Sequence, residues 1–381
     1  MSINLVFALS LFNMTSLRAG RVLIALYALD LGAQPFAVGV LAATFSVFPG
    51  VLSWPVGMLT DRIGSRGPLM FGTAGLAFAA CAPYFFPGMP ALFIASAMIG
   101  LSFSFFNVAT QNLIGLLSKS QDHARNFSNF SLVQSVASFT GPLLVGFGID
   151  HAGYGITCLY LALLSLAPVA MILLWGGALP GAMRGAAAQG SVLHTLRVPG
   201  MWRVLATGSL VVTGIELYQF YLPVYGHAIE LSASAIGFIL AMFSAASFVV
   251  RLVMPVLLAR LSQAQVLAYS FYLAAAGLML LPFFKSVAVL VLVSFLLGLG
   301  MGCGQPITMT LAFTNSAEGR SGEIMGLRVT VNNLTRVVVP VLFGIIGSVF
   351  GLFAVFWVNA MMLGSGGILT RSIGGGRDRG K

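Results

Sequence analysis

The chain is 381 residues long, 58% apolar and only 7% charged, with a formal net charge of +10 and a mean hydropathy of +0.98. A soluble domain has roughly a quarter of its residues charged, so this composition excludes one and places the chain in a lipid bilayer. Cys81, Cys158 and Cys303 are far apart and lack metal spacing, which excludes a disulfide or metal framework.

A crossing helix needs about 20 apolar residues. In chain order the sequence predicts spans at 4–28, 37–60, 68–86, 90–117, 127–150 and 154–176, then 201–226, 235–258, 265–284, 287–313, 323–348 and 351–370. The first contains Arg18 and Arg21 and lacks a charged lead, so it reads as a retained helix rather than a signal peptide. Between the sixth and seventh spans lies a Gly- and Ala-rich stretch, 177–200, which holds His194 and reads as a solvated tether. The fold class is an all-α integral membrane protein of twelve transmembrane helices. Its parts are a six-helix bundle at 1–176, the 177–200 linker, a second bundle at 201–370 and a basic tail at 371–381.

Thirteen of the 19 Lys and Arg residues fall in alternate connecting segments: Arg62, Arg66, Lys119, Arg125, Arg184, Arg197, Arg203, Arg260, Arg320, Arg371, Arg377, Arg379 and Lys381. The opposite loops hold only Lys285. The positive-inside rule then places both termini and the linker in the cytoplasm, and the basic charge needs no nucleic-acid partner.

The chain also repeats itself at an offset of 198 residues. Val38-Gly39 recurs as Ile236-Gly237, Arg62 as Arg260, Gly100 as Gly298 and Pro142 as Pro340. Two parallel halves are one way a membrane protein builds a gated site near the bilayer midplane. Small residues cluster in the tenth span (Gly298, Gly300, Gly302, Gly304) and in the fifth (Gly141, Gly146), with Pro142, Pro306 and Pro340 nearby. They serve close helix packing, or faces that slide and bend. Nucleotide loops of the GxxxxGK[ST] type and HExxH are absent, so no cofactor and no enzymatic role are expected.

Between the second and third spans stands Gly57-Met-Leu59-Thr-Asp61-Arg62-Ile-Gly64-Ser-Arg66. With twelve spans in two parallel halves, this loop resembles the signature of the major facilitator superfamily. The resemblance covers residues 5–370. It implies that Gly57, Asp61, Arg62, Gly64 and Arg66 form a cytoplasmic latch that sets an alternating-access equilibrium. The second half keeps Arg260 but has Ala259 where Asp61 would repeat, so the full latch is expected in the first half alone. The fifth span partly matches the exporter pattern through Gly141-Pro142 and Gly146, with Val145 replacing a glycine. The fourth-span arginine common to proton-linked drug exporters is replaced by Ser96.

Charges inside spans are the other signal, because each costs about 2.5–3.5 kcal/mol at a helix centre on the mildest scale. Arg18 and Arg21 lie one turn apart in the first span, Glu216 is central in the seventh, and Arg336 is central in the eleventh. Arg18 and Glu216 are 198 apart. Their pairing would be a working centre or a lock, and it would leave Arg21 and Arg336 as a positive surplus suited to an anion. Glu216 is the expected proton-coupling residue. Arg251 and Arg328 read as snorkelling or gate contacts. The family resemblance implies a cavity lined by the first, fourth, seventh and tenth spans. The expected solute set is Arg18, Arg21, Arg336, Asn107, Gln111, Tyr218, Gln219, Gln305, Asn332 and Asn333, with Thr110 and Tyr221 nearby.

The leading expectation is a proton-linked, alternating-access carrier for a small organic anion. It would work as a monomer in the bacterial inner membrane, with the proton and the lipid bilayer as its other partners. The alternative is a proton-driven exporter of drugs or amphipathic metabolites. A non-transporting sensor or scaffold is disfavoured by the latch and the polar midplane.

Overall fold

The computed structural model describes residues 2–118, 123–178, 201–314 and 321–374. These are helices with short connections, and there is no strand among the described residues. In hydrocarbon every backbone N–H and C=O must be satisfied within its own segment, so apolar runs of this length have helix as their solution. Nine of the described helices are long and apolar enough to cross a membrane. One of these, Asn129–Trp175, has 47 residues, enough at 1.5 Å per residue for two crossings.

The first span (Ser2–Asp30, 29 residues) and the seventh (Met201–Ala228, 28 residues) have the length to cross but fall outside the nine. They are the repeat-related spans that carry Arg18, Arg21 and Glu216, and their polar side chains dilute the apolar run. Counting the long helix twice and adding these two gives twelve segments of crossing length among the described residues.

The helix His123–Trp175 leaves helical geometry at Gly153, with φ 76° and ψ 172°, and this divides the fifth span from the sixth. Gly351, 198 residues later, separates the eleventh and twelfth spans with φ 81°. A left-handed backbone at both corners is open to Gly without the clash that a Cβ would bring.

The tenth span is one apolar crossing segment, Val287–Leu311, as expected, but its helix is interrupted. In place of one helix there are two, Val287–Gly302 and Gly304–Thr314, parted at Cys303.

The residues cluster into two compact units. The first comprises Met1–Ala187 together with Gly226–Ala241, so the second half of the sequence lends it the start of the eighth span (Ala233–Arg260). Here the first span packs along the fifth, the third against the fourth, and the second (Pro35–Ile63) against the fourth (Met89–Leu117). Gly141 sits at the crossing of the first and fifth spans, where a Cβ would lie 2.9 Å from both the Ala19 nitrogen and Arg18 Cβ. Ser96 Oγ donates to the Leu41 carbonyl at 2.8 Å and ties the fourth span to the second.

The second unit comprises Ala188–Tyr225 and Met242–Lys381. The twelfth span (Leu352–Gly374) packs on the ninth (Gln263–Leu280), and the ninth on the tenth. A contact of the first unit recurs here with its partners exchanged. In the first unit a Cβ on Gly72 would lie 2.8 Å from the Ser102 carbonyl oxygen; in the second, one on Gly300 would lie 2.9 Å from the Ser270 carbonyl oxygen. Position 72 repeats as 270 and position 102 as 300. One small residue per contact is enough, and either helix can supply it.

Candidate functional site

In the second unit the seventh span brings Glu216 beside Arg336 of the eleventh (Ser321–Phe350). Arg336 Nε donates to Glu216 Oε1 at 2.9 Å, and Arg336 Nη1 donates to Asn333 Oδ1 one turn back at 3.4 Å. The glutamate side chain is 7% exposed and the arginine 28%. The glutamate side chain is therefore buried while the arginine side chain stays partly accessible. A glutamate near the middle of an apolar span would be ruinous if isolated, so the pair is what permits it. The expectation that leaves Arg336 without a carboxylate is corrected here: Arg336 is engaged by Glu216.

Asn332 and Asn333 are buried at 8% and 7% exposure, and Gln219 and Gln305 are half-buried. Tyr218 departs from its expected place in the solute set. It is 1% exposed, its hydroxyl donates to Ser294 Oγ at 2.7 Å, and its ring stacks on Phe243 at 4.6 Å. It joins the seventh span to the tenth and eighth. Tyr221 likewise spends its hydroxyl on the Pro340 carbonyl at 3.0 Å.

Arg251 and Arg328 both reach the broken tenth span. Pro306 has no N–H, so the Gly302 carbonyl four residues earlier loses its helical donor. Arg251 Nε supplies one at 3.1 Å, and the ladder resumes with Ile307 N–H to the Cys303 carbonyl at 3.1 Å. Arg328 Nη2 donates to the Gln305 carbonyl at 3.3 Å and to Thr308 Oγ1 at 3.4 Å. Both arginines, read from the sequence as snorkelling or gate contacts, thus cap carbonyls of the tenth span.

In the first unit Arg21 lies over the Phe45 ring, 4.0 Å from its centroid, a cation–π contact that helps hold a guanidinium away from bulk water. Arg18 is half-buried against the fifth span at the Gly141 crossing. Asn107 is half-buried and Gln111 exposed on the fourth span, and the Thr110 hydroxyl between them is buried without a hydrogen-bond partner. Asn107 and Gln305 are repeat mates, 198 apart. Arg18, Arg21, Asn107 and Gln111 belong to the first unit; Glu216, Gln219, Gln305, Asn332, Asn333 and Arg336 belong to the second.

The loop expected to act as a latch is described through its backbone and Arg66. The second span ends at Ile63, and Gly64 follows with φ 83° and ψ 169°, its N–H donating to the Thr60 carbonyl. Gly57 faces Val108. Arg66 Nε lies 3.1 Å from where a Cβ on Gly176 would stand, against the C-terminal end of the sixth span, where the helix dipole favours a cation. The side chains of Asp61 and Arg62 lie outside the described residues.

Phe45 and Asp150 are absent from the sequence-derived set. The repeat could have pointed to Phe45, because its mate is Phe243, beside Tyr218. Asp150 closes the fifth span, and its carboxylate accepts from the Ala233 and Ser234 amides at 3.0 and 2.9 Å. An acidic residue at a span end facing a distant Ser-rich helix start carries no signature in one sequence.

The family model described as Major Facilitator Superfamily matches residues 6–340 and 227–373. A curated relative, the "Uncharacterized MFS-type transporter YuxJ" of Bacillus subtilis, is 26% identical over 324 residues, 81% of each chain. Two solved structures have the same fold at a TM-score of 0.79 and 13% identity, with 96% of this chain and 94% of theirs covered. One is a POT family transporter in complex with 5-aminolevulinic acid, and the other a POT family transporter in complex with a thioalcohol-conjugated peptide.

Proposed function

The chain belongs to the Major Facilitator Superfamily, and from that premise we propose that it is a proton-linked carrier of a small organic anion, working by alternating access through the Glu216–Arg336 pair. That it is an integral membrane protein of a transporter family is the ground on which the finer reading stands.

The observation that carries the proposal is the 2.9 Å ion pair, buried on its acidic side and partly accessible on its basic side. Ionised, Glu216 occupies one face of the Arg336 fork. Protonated, it loses the charge that holds the guanidinium, and Arg336 can turn its paired donors to a carboxylate or a similar anion. Proton and anion binding then favour each other, and by linkage each tightens the other by the same factor. Arg18 and Arg21, with Asn107 and Gln111, are the proposed solute contacts of the first half; Gln219, Gln305, Asn332 and Asn333 join Arg336 in the second. Tyr218 is left out. The solved neighbour with 5-aminolevulinic acid is in keeping with a carboxylate-bearing solute. Gly57, Asp61, Arg62, Gly64 and Arg66 are the proposed latch. The protein is proposed to act as a monomer in a bacterial inner membrane with both termini cytoplasmic.

A second reading, an exporter of amphipathic compounds, is favoured by the close backbone crossing at Gly146 and Pro142, where the exporter-type pattern falls. Proteoliposomes separate the two. Radiolabelled carboxylates should accumulate under an imposed proton gradient, and Glu216→Gln should abolish accumulation while sparing exchange. Efflux of cationic dyes without carboxylate uptake would favour the exporter. Undiminished gradient-driven accumulation by Glu216→Gln would remove Glu216 from the coupling role.

A further inference from the structure

We infer that Asp150 is a positioning residue for transport, a releasable latch joining the outer end of the fifth span to the start of the eighth. The inference rests on the alternating-access reading above.

The first turn of the eighth span accounts for its amide donors completely, and in two different ways. Ser232 takes the local share: its Oγ accepts from Ala235 N–H at 3.2 Å and its carbonyl from Ile236 N–H at 3.1 Å. The two remaining donors, Ala233 and Ser234 N–H, both go to Asp150, one to each carboxylate oxygen. Ser232 already supplies the local cap and water could serve the two remaining amides, so a carboxylate from 83 residues away does more than cap. The arrangement joins two spans, and the positive end of the helix dipole favours the charge that joins them.

The packing beneath the latch is of the same character. One turn before Asp150, a Cβ on Gly146 would lie 2.8 Å from Ser234 Cα; another turn before, the Pro142 carbonyl fills the space that a Cβ on Gly237 would need. Positions 142, 146 and 150 thus form one helical face that meets the eighth span backbone to backbone. At these positions the contact is made by backbone atoms, which can part there without a side chain having to change rotamer. Asp150 is exposed, so water can replace the amides when they part. A joint of this kind holds one conformation and lets it go. By the charge rule it lies at the face opposite the basic loops, where the sequence shows no latch motif.

The test is made on the full chain in lipid nanodiscs, with Cys81, Cys158 and Cys303 replaced by Ala. Spin labels stand at Leu144 and Phe238, exposed positions beside the crossing. Amide exchange over 231–237 is followed in parallel. Asp150→Ala should speed that exchange at least tenfold and raise the population of the longer label distance by a similar factor. Asp150→Asn, which keeps one acceptor oxygen, should fall between, and Asp150→Glu should restore most of the protection. Faster exchange with an unchanged distance distribution would overturn the latch, because a mere cap predicts that result. Unchanged exchange would overturn the joint itself. Neither readout requires a solute, so failure here is distinct from failure of the transport reading, which proteoliposome uptake decides.

Discussion

Gly100 and Gly298, 198 residues apart, make the same contact in their own units: a Cβ on Gly100 would overlap the Phe45 carbonyl, and one on Gly298 the Phe243 carbonyl, with positions 45 and 243 also 198 apart. In both, the obstacle is helix backbone, which cannot swing aside as a side-chain tip can. Each glycine lets one span lie directly on another. Gly100→Ala and Gly298→Ala should each destabilise the protein by about 1–3 kcal/mol, the usual range for overpacking, read as a lower melting temperature in detergent. An unaltered melt in either would mean that the two spans separate freely there.

The repeat made much of the architecture legible, because close helix contacts demand small residues at fixed registers, and registers survive as spacing. The charges were harder. The seventh-span Glu216 and eleventh-span Arg336 were each visible as costly intramembrane charges, but which charge meets which depends on helix rotation, and composition carries no record of it. Tyr218 shows the same limit. A tyrosine two residues after a glutamate reads as cavity lining, yet two helical positions, about 200°, turn it into the interface with Ser294. The break at Cys303 was foreshadowed by Pro306 and the glycines, whereas its satisfaction by Arg251 was not, since the donor lies 51 residues away.

The Glu216–Arg336 pair should respond asymmetrically to substitution. Arg336→Gln leaves a buried carboxylate without its guanidinium and Glu216→Gln leaves the guanidinium without its carboxylate; the first should cost about 3–5 kcal/mol, while combining the two removes both charges and should cost far less. Unfolding titrations of the two single variants and the double variant measure this. Additive losses would mean that the two side chains do not stabilise each other.

Gly64→Ala should strain the turn between the second and third spans. The backbone there has φ 83° and ψ 169°, a region essentially restricted to Gly, where a side chain brings a penalty of about 1–3 kcal/mol. Since the turn precedes Arg66, the expected effect is also functional: slower turnover in proteoliposomes with solute affinity retained. Full turnover with an unchanged melt would show that the turn adapts and that its geometry is not needed.

Arg251 and Pro306 should be coupled through an atom that belongs to neither. Pro306 removes the donor of the Gly302 carbonyl, and Arg251 Nε replaces it at 3.1 Å. Arg251→Met keeps most of the side-chain volume but withdraws the donor, leaving a buried carbonyl at a cost of about 1–3 kcal/mol. In a Pro306→Ala background residue 306 regains its N–H, the helical bond to Gly302 can form, and Arg251→Met should become milder. The interaction energy of the cycle should therefore fall in the range of about 0.5–3 kcal/mol expected for residues sharing one network. Pro306→Ala alone should straighten the tenth span and leave Arg251 competing with a backbone amide for one acceptor. If the two substitutions prove strictly additive in thermal or chemical unfolding, the arginine is held at the bend for another reason, and the carbonyl contact is incidental to it.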